Sequence, residues 1–427
     1  MRNAKGIAAC VMAVFVFSAC TLLSKKELEN SLLVHVSAEE MFSELTMHSK
    51  NADFQNALAL TRELQSEQPD KTYTELFGQA YDRVAPGTLM ASHFFTMGLH
   101  EKIDPRAGNK ELLEALQKEL DYKIDATINV LRVRLDRYGL PHHYIQRIDH
   151  SEDILIELPE VENIDRLKSL IETRAELGFW QTYELSEVHK YFKEANEALQ
   201  GIDIWEIQSQ LASDKENVKA ATTESADEEA EEAFREEAEK YPIYTFLNPA
   251  LEADETGEMR IMPGPVVGTA QRKDTAVVNY LLNQEQVRKI FPEDLHLCWS
   301  YKPLAQDGES MQLFAVKAEN KDRAPVNYMH ITGASLQADQ NDRFEVHVSM
   351  NNEGGKIWGR LTKLNIGKCI AIMLDDYVYT CPLVKAEIPG GKAVISGNFT
   401  EKEALDIANI LQTGPLPLPV KIVEENF

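Results

Sequence analysis

Past Leu23 this chain offers no run of about 18 uninterrupted apolar residues, the length a spanning helix needs, so nothing from Ser24 to Phe427 reads as a membrane span. Basic residues are also short: 44 Lys and Arg stand against 69 Asp and Glu, a formal charge of −25. That balance repels nucleic acid and anionic headgroups over much of the surface, which argues against both as partners. Cysteine is scarce, five in 427 residues at positions 10, 20, 298, 369 and 381. The spacings match neither a metal site nor a dense disulfide framework. No G-x-S-x-G elbow occurs. Gly354-Gly355 and Gly390-Gly391 are each followed by Lys, but neither has the G-x-x-x-x-G-K-S/T spacing that wraps backbone N–H groups around phosphate, so both read as turns. His142, His143 and His150 have no Cys or carboxylate at ligand spacing. These absences predict a protein that is not an enzyme, with no metal and no cofactor.

What is present is a globular chain: 44% hydrophobic residues over 427 positions supply cores for two or three domains. The acidity is partly local. Between Ser213 and Glu239 eleven acidic residues face three basic ones with hardly a large apolar residue, the pattern of a disordered linker or a solvated helix. At the N-terminus Arg2 and Lys5 precede an apolar run from Gly6 to Leu23, an export signal rather than part of the fold. Phe17-Ser18-Ala19-Cys20 resembles a bacterial lipobox, which would make Cys20 the lipidated first residue; the competing reading is an uncleaved membrane helix of about nineteen residues. Either places the rest outside the cytoplasm, facing the periplasm and next to a membrane.

Periodicity predicts a strand at Leu32–Val36, then a helix-favouring region over Ala38–Ala85. A long helix follows from Glu111, with Leu113, Leu116, Leu120, Ile124, Ile128, Leu131 and Leu135 on one stripe, ended by Gly139 and Pro141. Strands are expected at 144–148, 153–158 and 177–183, with a helix capped by Asn163 before the third. Further strands fit 312–316 and 344–350, then a helix over 352–363 and a hairpin at Asp375-Asp376. Thr400-x-x-Glu403 opens a last helix with Ala404, Leu405, Ala408 and Leu411 inward, and 420–423 is a final strand. A two-residue turn would set Cys369 opposite Pro382, with Cys369 and Cys381 on opposite faces; a three-residue turn would favour a disulfide.

The segment Ile370 to Pro419, IAIMLDDYVYTCPLVKAEIPGGKAVISGNFTEKEALDIANILQTGPLPLP, resembles the end of the first periplasmic domain of SecD and of fused SecDF, the protein-export family. INVLRVRLDRYGL (128–140), IQRID (145–149) and DILIELPEVENIDRLKSLI (153–171) resemble its N-terminal half. AELGFWQTYE (175–184) and PVVGTAQRKDTAVV (265–278) are similar to SecDF of Bacteroidetes. The resemblance runs from Leu32 to Val423, but SKKELENSLLV (24–34) lacks the family's Leu-Asp-Leu-x-Gly-Gly motif, and no later membrane helices follow.

The resemblance implies an α+β fold: a ferredoxin-like base with an inserted α+β head. The expected division is 1–24 signal or anchor, 25–200 first part of the base, 201–240 acidic linker, 241–398 head, and 399–427 the base's last helix and strand. Gly390, Gly391, Gly397 and Phe399 are the family-motif structural residues. The implied role is a membrane-tethered domain that assists export by binding unfolded exported polypeptides beside the Sec translocon or a complete SecDF, without its own proton-driven motor. The alternative is a lipoprotein adaptor outside the Sec system. Phe344, Val346 and Val348 alternate along one strand, which accommodates either a half-buried core face or a strand edge that accepts an extended polypeptide.

Overall fold

The computed structural model describes residues 30–94, 106–149, 151–213, 238–305, 307–318 and 323–426. Cys20 with segment 1–24, residues 214–237 of the acidic stretch, and His150 lie outside the described residues. Among the described residues no helix is long and apolar enough to cross a membrane.

Strand β1 (Asn30–Val36) alternates so that Leu32, Val34 and Val36 share one fully buried face. The chain then forms α1 (Ala38–Leu45), α2 (Ala52–Glu67) and α3 (Tyr73–Val84), opened by side-chain caps from Ser37, Asn51 and Thr72. Phe42 joins this layer through edge-to-face contacts with Tyr73, Phe77 and Phe94, centroids 5.3, 5.0 and 5.7 Å away. Helix α4 (Asn109–Tyr138) buries Leu112, Leu116, Leu120, Ile124, Ile128, Leu131 and Leu135. Leu112 takes the core position expected of Leu113, which is half-buried and lies against Gly78 of α3. Gly139 closes the helix at φ +100°, donating back to the Leu135 and Asp136 carbonyls.

β2 (Tyr144–Arg147), β3 (Asp153–Leu158) and α5 (Ile164–Glu172), capped by Asn163, complete the first run. The remaining base strand, Val420–Asn426, comes from the far end of the chain and pairs antiparallel with β1. β1 pairs with β3 on its other edge, and β3 with β2. The four-stranded order, last-first-third-second with α4 and α5 packed on the sheet, is ferredoxin-like, and the whole fold is α+β.

Between α5 and that last strand the chain builds the inserted unit. β4 (Leu177–Thr182) belongs to it, pairing with strands more than a hundred residues downstream rather than with the base sheet. β4, which the sequence division at residue 200 groups with the base, has its hydrogen-bond partners in the insert. Helix α6 (Leu185–Ala198), β5 (Val266–Gln271), α7 (Thr275–Leu282), β6 (Leu295–Trp299) and β7 (Ser310–Lys317) follow. A second sheet is β8 (Ile331–Ala338), β9 (Phe344–Met350) and β12 (Lys392–Phe399), with β9 central. Between β9 and β12 lie α8 (Asn352–Leu364), β10 (Ile370–Leu374) and β11 (Tyr377–Thr380).

The larger sheet closes on itself. β4 pairs with β7 and β10, β7 with β6, and β10 with β11. The end of β6 meets β11 through a parallel Ser300–Val378 bridge, with Tyr301 N–H donating to the Val378 carbonyl at 2.9 Å. Cys298, Phe314, Val316, Ala371, Met373 and Val378 fill this small barrel. A separate apolar cluster, with Val188, Phe192, Val278 and Leu281, packs α6 and α7 on β5 and β7. The last helix, α9 (Glu401–Thr413), lies across β8 and β9 and against α4. It buries Ala404, Ile407, Ala408 and Leu411 at i, i+3, i+4 and i+7, so Ile407 replaces the expected Leu405, which is 42% exposed. Assigned to the base by sequence, α9 packs on the inserted sheet as well.

Candidate functional site

The β10–β11 hairpin turns at Asp375, which adopts φ +54°. Its carboxylate accepts from the N–H groups of Arg174 and Glu176 at 3.0 and 2.8 Å, pinning the hairpin to the start of β4. Burial pushes this carboxyl above its ordinary range, with those two N–H groups opposing the shift. The period of two along β11 then sends Val378 into the barrel, leaves Tyr377 exposed, and turns Tyr379 toward the joint between barrel and second sheet.

There Tyr379 stacks on Tyr301, ring centroids 4.1 Å apart and planes 12° from parallel, with Phe399 tilted against it at 6.3 Å. Phe399 reaches this position because residue 397 is glycine: a Cβ there would stand 2.6 Å from the Phe399 ring. Lys302 lies 5.5 Å over the same ring and donates to the Asn398 carbonyl and the Glu403 carboxylate at 2.8 and 2.6 Å. Burial raises the Glu403 carboxyl, but Lys302 and the Thr400 hydrogen bonds outweigh it and hold it below its ordinary range. Burial, with Tyr301 alongside, pushes the Tyr379 phenol well above 10. Tyr301, Tyr379, Phe399 and Lys302 wall a cavity of about 410 Å³ that also touches Phe314, Thr380 and Cys381. Aromatic walls with a few fixed polar groups suit reversible binding of an apolar or aromatic group.

Gly390 and Gly391 sit elsewhere. Both have positive φ, +88° and +65°, and a Cβ on Gly391 would lie 3.0 Å from the Gly355 Cα in the first turn of α8. The two glycine pairs noted in the sequence thus meet backbone to backbone, and the Gly391 carbonyl accepts from Met350 N–H at 2.8 Å. Val346 and Val348 are 0% and 1% exposed, and Phe344 is half-buried. β9 is paired on both edges, so a client strand has no place beside it. β8 pairs only with β9 among the described residues, and α9 occupies part of its face and takes the Ala334 carbonyl through Gln412. Sequence reasoning overlooked Tyr301, Lys302 and Arg134. The last follows Leu131 by three residues on the α4 stripe, the only hint that a charged side chain shares the buried face.

Two family models match this chain: residues 124–184 match the protein translocase subunit SecDF P1 domain, N-terminal, and residues 306–418 match the SecDF P1 head subdomain. Protein translocase subunit SecD of Rhodothermus marinus is 29% identical over 376 residues, covering 87% of this chain and 57% of that protein. The Rickettsia prowazekii subunit is 46% identical over 96 residues, covering 22% of this chain and 18% of its own length. The chain therefore spans little more than half of the first relative and under a fifth of the second. Among solved structures, SecDF in its super-membrane-facing form is 23% identical, covering 71% of this chain and 28% of that one, with a TM-score of 0.36. The structure described as a membrane component SecDF that enhances protein export is 23% identical, covering 71% of this chain and 91% of that one, TM-score 0.35.

Proposed function

Since this chain carries a P1 region of the SecD/SecDF type, we propose that it contributes to protein export outside the cytoplasm by holding segments of unfolded exported polypeptide. Its contribution is binding rather than catalysis. The observation that carries this reading is the cavity walled by Tyr301, Tyr379 and Phe399 and rimmed by Lys302, at the joint between barrel and second sheet. Aromatic faces accept many side chains without a strict sequence preference, which suits a succession of different clients. The sequence similarity to SecD supports the export setting. The Phe344, Val346 and Val348 strand contributes from the interior, supporting the sheet under α9 rather than touching the client. Attachment to the membrane through the N-terminus, by lipid on Cys20 or by an uncleaved helix, and action beside the Sec translocon or a complete SecDF belong to the same proposal.

The test is a photoreactive amino acid at Leu304, on the cavity rim, in the full-length protein in cells. Adducts with unfolded secretory precursors are expected. A folded, membrane-fractionated protein that yields no precursor adduct from this position, while exposed Tyr377 at the hairpin turn outside the cavity does, would place the client elsewhere.

A further inference from the structure

The β10–β11 hairpin holds a pairing irregularity with a chemical consequence. Leu374 faces Tyr377 and Met373 faces Val378, the register of a two-residue turn. Between Met373 and Ile372 the register slips, and Ile372 faces Thr380. The slip persists: Ile370 N–H donates to the Pro382 carbonyl at 3.2 Å and Cys369 faces Leu383. An unbulged hairpin would leave Cys369 and Cys381 on opposite faces; the extra residue puts them on the same face, one diagonal step apart. The two thiols are near enough to shift each other's ionisation. Both are half-buried, whereas Cys298 is enclosed in the barrel.

We propose that Cys369 and Cys381 form a modification site, an intramolecular disulfide that ties the outgoing end of the hairpin where Cys381 lines the cavity. The shared face and diagonal spacing set by the bulge give the two side chains the approach from which a link can close. The position is otherwise fixed: the Cys369 carbonyl accepts from the Thr182 hydroxyl at 2.9 Å, and Pro382 and Leu383 are held by the bonds above. The neighbouring Cys381 thiol lowers that of Cys369 and is itself raised, so Cys369 is the first nucleophile. Glu184, which faces both, opposes ionisation of either.

The oxidant is a disulfide of a small thiol or of a thiol oxidoreductase. The Cys369 thiolate, its proton lost to water, attacks one sulfur of that disulfide, forming a mixed disulfide and expelling one thiolate. The Cys381 thiolate then attacks the Cys369 sulfur and expels the second. Two protons and two electrons leave the protein, and one oxidant disulfide becomes two thiols. Closing this link restrains the cavity wall that carries Tyr379 and Thr380, independently of what the cavity holds.

The experiment equilibrates the full-length folded protein with mixtures of oxidised and reduced glutathione, traps thiols by alkylation, and maps peptides. The expected result is a linked Cys369–Cys381 peptide, lighter by two hydrogens and without alkyl groups, while Cys298 is recovered as a thiol. The thermal midpoint should rise in the oxidised form and fall back with reductant, with no such shift in Cys369→Ser. Recovery of Cys369 and Cys381 as separate glutathione adducts, or both as free thiols under conditions that oxidise glutathione-accessible thiols, would overturn the proposal. In Cys369→Ser, Cys381 is expected as a thiol or glutathione adduct only; a new link from Cys381 to Cys298 would also count against the assigned pair.

Discussion

Nη2 of Arg134 donates to the carbonyl oxygen of Gly414 at 3.1 Å, joining the long helix of the base to the end of the last helix across 280 positions of sequence. The same fully buried guanidinium donates to the carbonyls of Leu170, at 3.0 Å, and Thr173, and to the Thr413 hydroxyl at 3.3 Å. It therefore closes the C-terminal ends of α5 and α9, where unsatisfied carbonyls concentrate negative charge. These are the two points at which the chain leaves the base and returns to it.

Arg134→Leu is accordingly expected to destabilise the protein by about 3 kcal/mol or more, because several buried carbonyls lose their donor together. Burial pulls the guanidinium down to about 10, which still leaves it charged at neutral pH. Arg134→Lys should recover only part of the loss, since an ammonium cannot span both helix ends. Urea denaturation monitored by tryptophan fluorescence reads this; a leucine variant within experimental error of the parent would remove the clamp from the account.

Gly391→Ala tests the meeting of the two glycine pairs. Its φ of +65° strains any side chain, by about 1 to 2 kcal/mol, and the new Cβ would also press on Gly355 Cα at 3.0 Å. Gly308→Ala is the matched control, with φ +70° and nothing within 4 Å. The Gly391 variant should lose clearly more stability than the Gly308 variant. Equal losses would mean that backbone conformation alone, not close approach, explains the glycine.

How much of this was legible beforehand varies by physical cause. The strands at Asp153 and Phe344, the Asn163 and Thr400 caps and the Gly139 stop were readable because each depends on a few neighbouring residues. The fate of β4 was not, since Leu177–Thr182 has the same alternation whichever sheet receives it, and its partners lie at Ile370–Leu374 and Val316–Lys317. The bulge beside Ile372 left no mark in composition, yet it decides which face Cys369 occupies. The cavity was half visible: Gly397, Phe399 and Tyr379 stand in a motif that resemblance picks out, whereas Tyr301 and Lys302 join them only through the barrel's closure.

A pH dependence follows from the base sheet. His35 on β1 and Asp153 on β3 lie 2.8 Å apart, and that hydrogen bond raises the imidazole above 6.5 while lowering the carboxyl below 3.8. A raised histidine stabilises the fold fully below its unfolded value near 6.5 and loses that contribution as pH climbs through the raised folded value. The lowered aspartate stabilises above 3.8 and fades as pH falls through its folded value. The pair therefore supports the fold most between those limits, by under about 1 kcal/mol given its partial exposure. Thermal midpoints at pH 6 and pH 8 for the parent and His35→Gln should converge at pH 8 and separate at pH 6. Curves that stay parallel would show that the pair is not linked to folding.

The aromatic wall makes the last prediction separable from mere folding. Tyr379→Phe keeps the ring that stacks 4.1 Å from Tyr301 and removes only the hydroxyl, whereas Tyr301→Ala removes the stacking partner itself. An aromatic contact contributes about 0.5 to 1.5 kcal/mol beyond its buried area, so loss of the Tyr301 ring as a contact for the client should weaken capture of an unfolded model polypeptide about two- to tenfold. Tyr379→Phe should bind as the parent does. Fluorescence anisotropy of a labelled unfolded chain, with circular dichroism confirming that both variants are folded, reads the difference. If the phenylalanine variant loses as much as the alanine one, binding depends on the phenol hydroxyl, and the cavity selects a polar group instead of an apolar face.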